Sequence, residues 1–107
     1  MGINLDEALG YLKKAVDIRP NDGFILDSLG WIYFKLKKYD AAASYLEEAV
    51  ALVGDDSTII EHLGDVYHAR KENKKALKTY KKALEIEPDR KELADKIRQF
   101  ITEHGER

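Results

Sequence analysis

Apolar positions return every three or four residues along much of the chain. Leu5, Leu9, Leu12 and Val16 lie about a turn apart. So do Phe24, Leu26, Leu29, Ile32, Tyr33 and Leu36, and then Tyr39, Ala42, Leu46, Ala49 and Val50. Such spacing puts each set on one side of an α-helix. No segment alternates apolar and polar residues over a useful length, so no sheet is predicted. The pattern and its breaks predict six helices: Leu5–Ile18, Gly23–Leu36, Tyr39–Val53, Thr58–Lys71, Lys74–Ile86 and Arg90–Glu103. A frayed tail, His104-Gly105-Glu106-Arg107, is expected to follow. Asp22 and either Asp56 or Ser57 suit the N-caps, since their side-chain oxygens accept from unpaired backbone N–H groups.

The pattern repeats. Leu29-Gly30-x-x-Tyr33 returns as Leu63-Gly64-x-x-Tyr67, 34 residues on. Ala42, Leu46 and Ala49 return as Ala76, Tyr80 and Ala83, and stand one period earlier as Ala8, Leu12 and Ala15. Pro20, Gly54 and Pro88 close successive units with a helix breaker. A glycine inside a helix costs roughly 1 kcal/mol against alanine. Its recurrence at Gly30 and Gly64 therefore predicts a close approach of the two helices of each unit, with the alanines facing it. A large side chain at Gly64, as in Gly64→Leu, should overpack that contact by about 1–3 kcal/mol.

These residues resemble the tetratricopeptide repeat, a 34-residue helix–turn–helix unit with the pattern W-x2-L-G-x2-Y, then A-x3-F, then a closing proline. The tryptophan position holds Leu26 and Ile60, the aromatic after the alanine is Leu12, Leu46 or Tyr80, and the turn glycine of many such repeats is Lys37 or Lys71. The resemblance implies an all-α, solenoid-type stack of antiparallel helix pairs ending in a solvating helix. It divides the chain into the second half of a repeat (1–22), two full repeats (23–56 and 57–90), and a capping helix with tail (91–107). Leu26-Asp27-Ser28-Leu29-Gly30-Trp31 and His62-Leu63-Gly64-Asp65 are also similar to repeats of long bacterial members, often envelope-associated. The opening half-repeat suggests the C-terminal part of a longer array. Its rival is an exposed end, over Leu5, Leu9, Leu12 and Val16, that pairs with a second copy. The expected state is a monomer or weak dimer.

Composition narrows the function classes. At 107 residues, 44% hydrophobic and 36% charged, the chain suits one folded domain with a modest core. A net charge of −2 gives no general attraction to nucleic acid, and no apolar run spans a membrane. No signal peptide is readable at Met1-Gly2-Ile3-Asn4, and the compartment, cytoplasm or bacterial envelope, stays open. There is no cysteine, and no serine has a histidine at a supporting spacing. Phosphate loops, dinucleotide fingerprints and zinc-protease motifs are absent, so neither an enzyme nor a cofactor is expected.

The resemblance places ligands in a concave groove lined by first helices. Carried over, the groove positions are Phe24, Asp27, Trp31, Phe34 and Lys35, then Thr58, Glu61, Asp65, His68 and Ala69, with Glu92, Asp95 and Gln99 on the last helix. Helical geometry independently sets Asp27, Trp31 and Phe34 on one face, at i, i+4 and i+7. Aromatics beside a carboxylate make a plausible anchor for a peptide or helix. One subclass of the family grips C-terminal carboxylates with groove lysines and asparagines. This chain has Asp27, Ser28, Glu61, His62 and Asp65 there, which favours an apolar or basic partner. Glu61, Asp65 and His68 also share a face, where a weak metal site competes with simple solvation. Lys74, Lys75, Lys78, Lys81 and Lys82 read as a solvated outer face, with Glu47 and Glu48 as counterpart. The alternatives to an interaction scaffold are a structural spacer without its own ligand and a regulator of a catalytic domain elsewhere.

Overall fold

A computed structural model describes residues 4–106. It contains six helices: α1 (Leu5–Ile18), α2 (Gly23–Lys35), α3 (Tyr39–Leu52), α4 (Ser57–Ala69), α5 (Asn73–Ile86) and α6 (Lys91–His104). No strand occurs among the described residues. The chain separates into two compact units, which divide between Gly54 and Asp55. The expected tail falls partly inside α6, since His104 is its last residue. Arg107, like the Met1-Gly2-Ile3 start, lies outside the described residues.

Side chains set the helix starts. Asn4 accepts from the Asp6 N–H at 2.8 Å, and Asp22 accepts from Phe24 and Ile25 at 3.0 and 3.2 Å. Asp56, not Ser57, caps α4 by accepting from the Ile59 N–H at 3.0 Å. Ser57 is instead buried, and its hydroxyl donates to the Ala83 carbonyl at 3.0 Å.

Three helix C-termini, those of α2, α3 and α4, fall short of the spans read from the sequence, and at α2 and α4 the cause is a lysine. Lys37 and Lys71 take left-handed backbone, with φ of 62° and 63°. Lys37 N–H then bonds the Phe34 carbonyl and Lys38 N–H the Tyr33 carbonyl, both at 2.9 Å. Lys71 and Glu72 close α4 in the same way onto His68 and Tyr67. This C-terminal closure normally uses glycine, because a Cβ in that conformation crowds the backbone. The stop therefore comes before Leu36 and Arg70.

In the first unit, α2 and α3 form a helical hairpin around Leu26, Leu29, Ala42, Ala43, Leu46 and Ala49, all buried. Gly30 is where the pair closes: a Cβ there would stand 2.7 Å from Leu46 Cγ and 3.2 Å from the Ala42 carbonyl. Helix α1 packs on α2 but buries no residue fully, and Tyr11 and Ile18 remain largely exposed. In the second unit, α4 and α5 pair in the same manner around Ile60, Leu63, Val66, Ala76, Leu77, Tyr80 and Ala83. A Cβ on Gly64 would meet the Tyr80 ring at 2.7 Å. Helix α6 covers this pair with Leu93, Ile97 and Phe100, spaced i, i+4 and i+7 and all buried.

Candidate functional site

The candidate residues of the first unit lie on α2, and Trp31, Phe34 and Lys35 among them gather into an aromatic cluster. Trp31 and Phe34 stack with ring centroids 4.7 Å apart and planes 17° apart. Phe34 also meets Tyr39, the first residue of α3, at 5.7 Å. The Lys35 ammonium lies 5.5 Å from the Trp31 ring centre, within cation–π range. Trp31 and Phe34 are half-buried, and Phe24, two turns before Trp31, is 58% exposed. Asp27 is half-buried on the same stretch. The structure thus groups Trp31, Phe34 and Lys35, and adds Tyr39, which helical spacing on α2 alone could not include. Ser28 turns back along its own helix, donating to the Phe24 carbonyl at 3.1 Å.

The second unit departs from the sequence expectation. Glu61 and Asp65 are not a solvated pair, since their side chains retain only 15% and 18% exposure. Lys96 of α6 reaches Glu61 at 2.8 Å and Asp65 at 2.7 Å, and lies 5.0 Å from the Tyr80 ring centre. Arg90 donates to Glu61 at 2.6 Å, to Ser57 Oγ at 2.9 Å and to Glu92 at 2.8 Å. Tyr80 donates its hydroxyl to Asp65 at 2.6 Å. The reason is burial: α6 covers this face, and carboxylates taken from water need charged partners.

Protonation follows this geometry. Burial alone would raise the Glu61 carboxyl, but hydrogen bonds from Lys96 and Arg90 outweigh it and hold it below the usual 4.5. Burial works against the Lys96 ammonium too, and Asp65 and Glu61 overcome it, raising its pKa above 10.5. Burial and the bond to Asp65 push the Tyr80 hydroxyl strongly upward, so it stays a donor. Carboxylates, cations and a phenol satisfy one another here, and nothing is poised for proton transfer.

His68 packs edge-on to Phe100 at 4.9 Å and to His104 at 5.2 Å. A cleft of about 220 Å³ opens here, lined by His68, Tyr80, Lys96, Gln99, Phe100 and Glu103. Among the described residues no group of three or more acidic, histidine or cysteine side chains is arranged to hold a metal. Thr58 is exposed and Ala69 half-buried on α4. Of the other α6 candidates, Glu92 pairs with Arg90 and Asp95 with Arg98. The lysines of α5 are exposed, with Lys75 over the Tyr67 ring at 5.0 Å and Lys81 reaching Glu106 at 3.7 Å. No helix among the described residues is long and apolar enough to cross a membrane.

Sequence reasoning missed Arg90, Lys96 and Ser57 as partners of the α4 face. One signal was available: Lys96 falls at i+3 in the Leu93, Ile97, Phe100 stripe, on the side that must face the core.

Residues 33–99 match the tetratricopeptide repeat. No curated protein gives a significant match. Three solved structures are similar over most of the chain. The first repeat domain of Spaghetti (RPAP3), bound to the HSP90 peptide SRMEEVD, is 28% identical with a TM-score of 0.86, covering 92% of this chain and 79% of that one. The thermophilic repeat protein TTC0263 of Thermus thermophilus is 30% identical with a TM-score of 0.85, covering 92% and 50%. MamA is 27% identical with a TM-score of 0.87, covering 96% and 60%. The chain thus spans half of TTC0263 and three fifths of MamA. With six helices, paired glycine-centred hairpins and this match, the chain belongs to the tetratricopeptide repeat family, whose fold generally serves as a protein–protein interaction module.

Proposed function

We propose that this chain is a protein-binding scaffold that holds a peptide or helical segment on the groove-side face of α2. The repeat boundaries 23–56 and 57–90 are part of that reading. The observation that carries it is the stacked Trp31–Phe34 pair, half-exposed beside Lys35, with Phe24 open two turns away. Two large rings at one spot offer apolar contact area with little side-chain entropy to lose, the usual make-up of an interaction hot spot.

The preferred ligand is apolar. The basic preference expected from the acidic positions loses Glu61 and Asp65, which are already neutralised by Lys96 and Arg90. RPAP3 is similar in fold and binds an HSP90 peptide.

Trp31 is the sole tryptophan, so its emission reports binding without a label. Titration with apolar, basic and acidic peptide sets should shift Trp31 emission with the apolar set first, and Trp31→Ala should abolish binding. Equal response to all three sets, or retained affinity in Trp31→Ala, refutes the reading. A structural spacer without a ligand is the second reading: with α6 in place, the Glu61 and Asp65 face of α4 is already taken.

A further inference from the structure

The α4 face is covered by a helix whose chemistry exceeds what covering requires. An apolar stripe would suffice to seal the α4–α5 pair. Helix α6 brings the stripe Leu93, Ile97 and Phe100, and also sets Lys96 between two carboxylates and over the Tyr80 ring. Charge buried in this way stabilises little against an apolar substitute, but it discriminates strongly between partners. The face therefore reads a helix by pattern: apolar at i, i+4 and i+7, lysine at i+3.

The hold on α6 is uneven. Its root is tied by Arg90 to Ser57 and Glu61 of α4. Beyond Phe100, the ties across to α5 are exposed ones: Asn73 to His104 at 3.4 Å and Lys81 to Glu106 at 3.7 Å. The cleft at Gln99 and Glu103 opens along this weaker half.

We propose that the α4–α5 face of the second unit is a docking site for a lysine-bearing amphipathic helix, and that α6 is its resident occupant, displaced by a partner helix of the same pattern. The proposal rests on the reading of the chain as an interaction module, but its site is separate from Trp31. Complementarity to Glu61 and Asp65 defines the partner's chemistry, and α6 supplies the template. Binding there is weakened in the intact chain because the competent state is only the fraction with α6 released.

The test uses the full chain and a synthetic peptide of residues 88–106. With excess peptide, amide exchange over residues 93–104 should accelerate while α2 and α3 are unchanged, since a displaced helix loses its protection. The same peptide carrying Lys96→Glu should have no such effect. Unchanged exchange with the native peptide, or equal acceleration by the substituted one, overturns the proposal. A Lys96→Glu chain should bind the native peptide about tenfold or more tightly than the intact chain does. Equal affinity overturns it. Should that variant unfold, the exchange experiment on the intact chain decides alone. Trp31→Ala should leave peptide 88–106 binding unaltered, so this site and the α2 face stand or fall separately.

Discussion

Gly64→Ala and Gly10→Ala make the same chemical change inside a helix, and they should have opposite effects. Each gains about 1 kcal/mol of helix propensity. At Gly10 nothing lies within 4 Å of the new Cβ, so the whole gain should appear as stability. At Gly64 the Cβ would stand 2.7 Å from two carbons of the Tyr80 ring. That ring is anchored: Tyr80 is 0% exposed, and its hydroxyl is held by Asp65 at 2.6 Å. Overpacking of this kind costs about 1–3 kcal/mol, so Gly64→Ala should lose up to about 2 kcal/mol net. The two variants would then differ by about 1–3 kcal/mol, at about 4–8 °C of Tm per kcal/mol in a chain this size. Urea unfolding followed by far-ultraviolet circular dichroism, with Trp31 emission as a probe of the first unit, measures both. A Gly64→Ala midpoint at or above that of the unsubstituted chain would refute the close-contact argument.

Three further outcomes follow from the geometry. Lys37→Gly and Lys71→Gly should each stabilise by about 0.5–1 kcal/mol, because relief of left-handed strain exceeds the added unfolded-chain entropy, and thermal melts check it. Glu61 has a depressed folded pKa, so its contribution is present above about 4.5 and lost as pH falls through the folded value; urea midpoints of the unsubstituted chain and Glu61→Gln should differ at neutral pH and converge in acid. Asp56→Ala should cost about 1 kcal/mol as a lost cap, whereas Ser57→Ala should cost about 1–3 kcal/mol, because it removes two hydrogen bonds at once, the one given to the Ala83 carbonyl and the one accepted from Arg90; urea midpoints of the two variants measure the contrast.

The fold was legible because three signals agreed: helical periodicity, the 34-residue recurrence and the small residues at Gly30 and Gly64. The bounds of α1 follow from its apolar stripe and the breaker at Pro20. The ends of α2 and α4 were misjudged because lysine is a poor sign of left-handed backbone, and no side-chain preference marks Lys37 or Lys71. The α2 cluster was readable because Trp31 and Phe34 share one helix, so spacing fixes their relation. The α4 face was not, because its cationic partners sit 29 to 35 residues away in sequence. Glu61 and Asp65 looked like ligand groups since nothing local explains them; the explanation is Lys96 and Arg90, far along the chain.

Arg90 also orders events in time. Its guanidinium joins Ser57 and Glu61 at the root of α6, and Lys96 completes the set only when that helix is laid down. On a ribosome, α4 and α5 emerge before Lys96, so Glu61 and Asp65 precede the cation that pairs with both of them. A later stretch of chain withdraws those carboxylates from water. The second unit thus reaches its final state only once Lys96 has left the exit tunnel, and a chain truncated before that residue would keep an acidic, open flank.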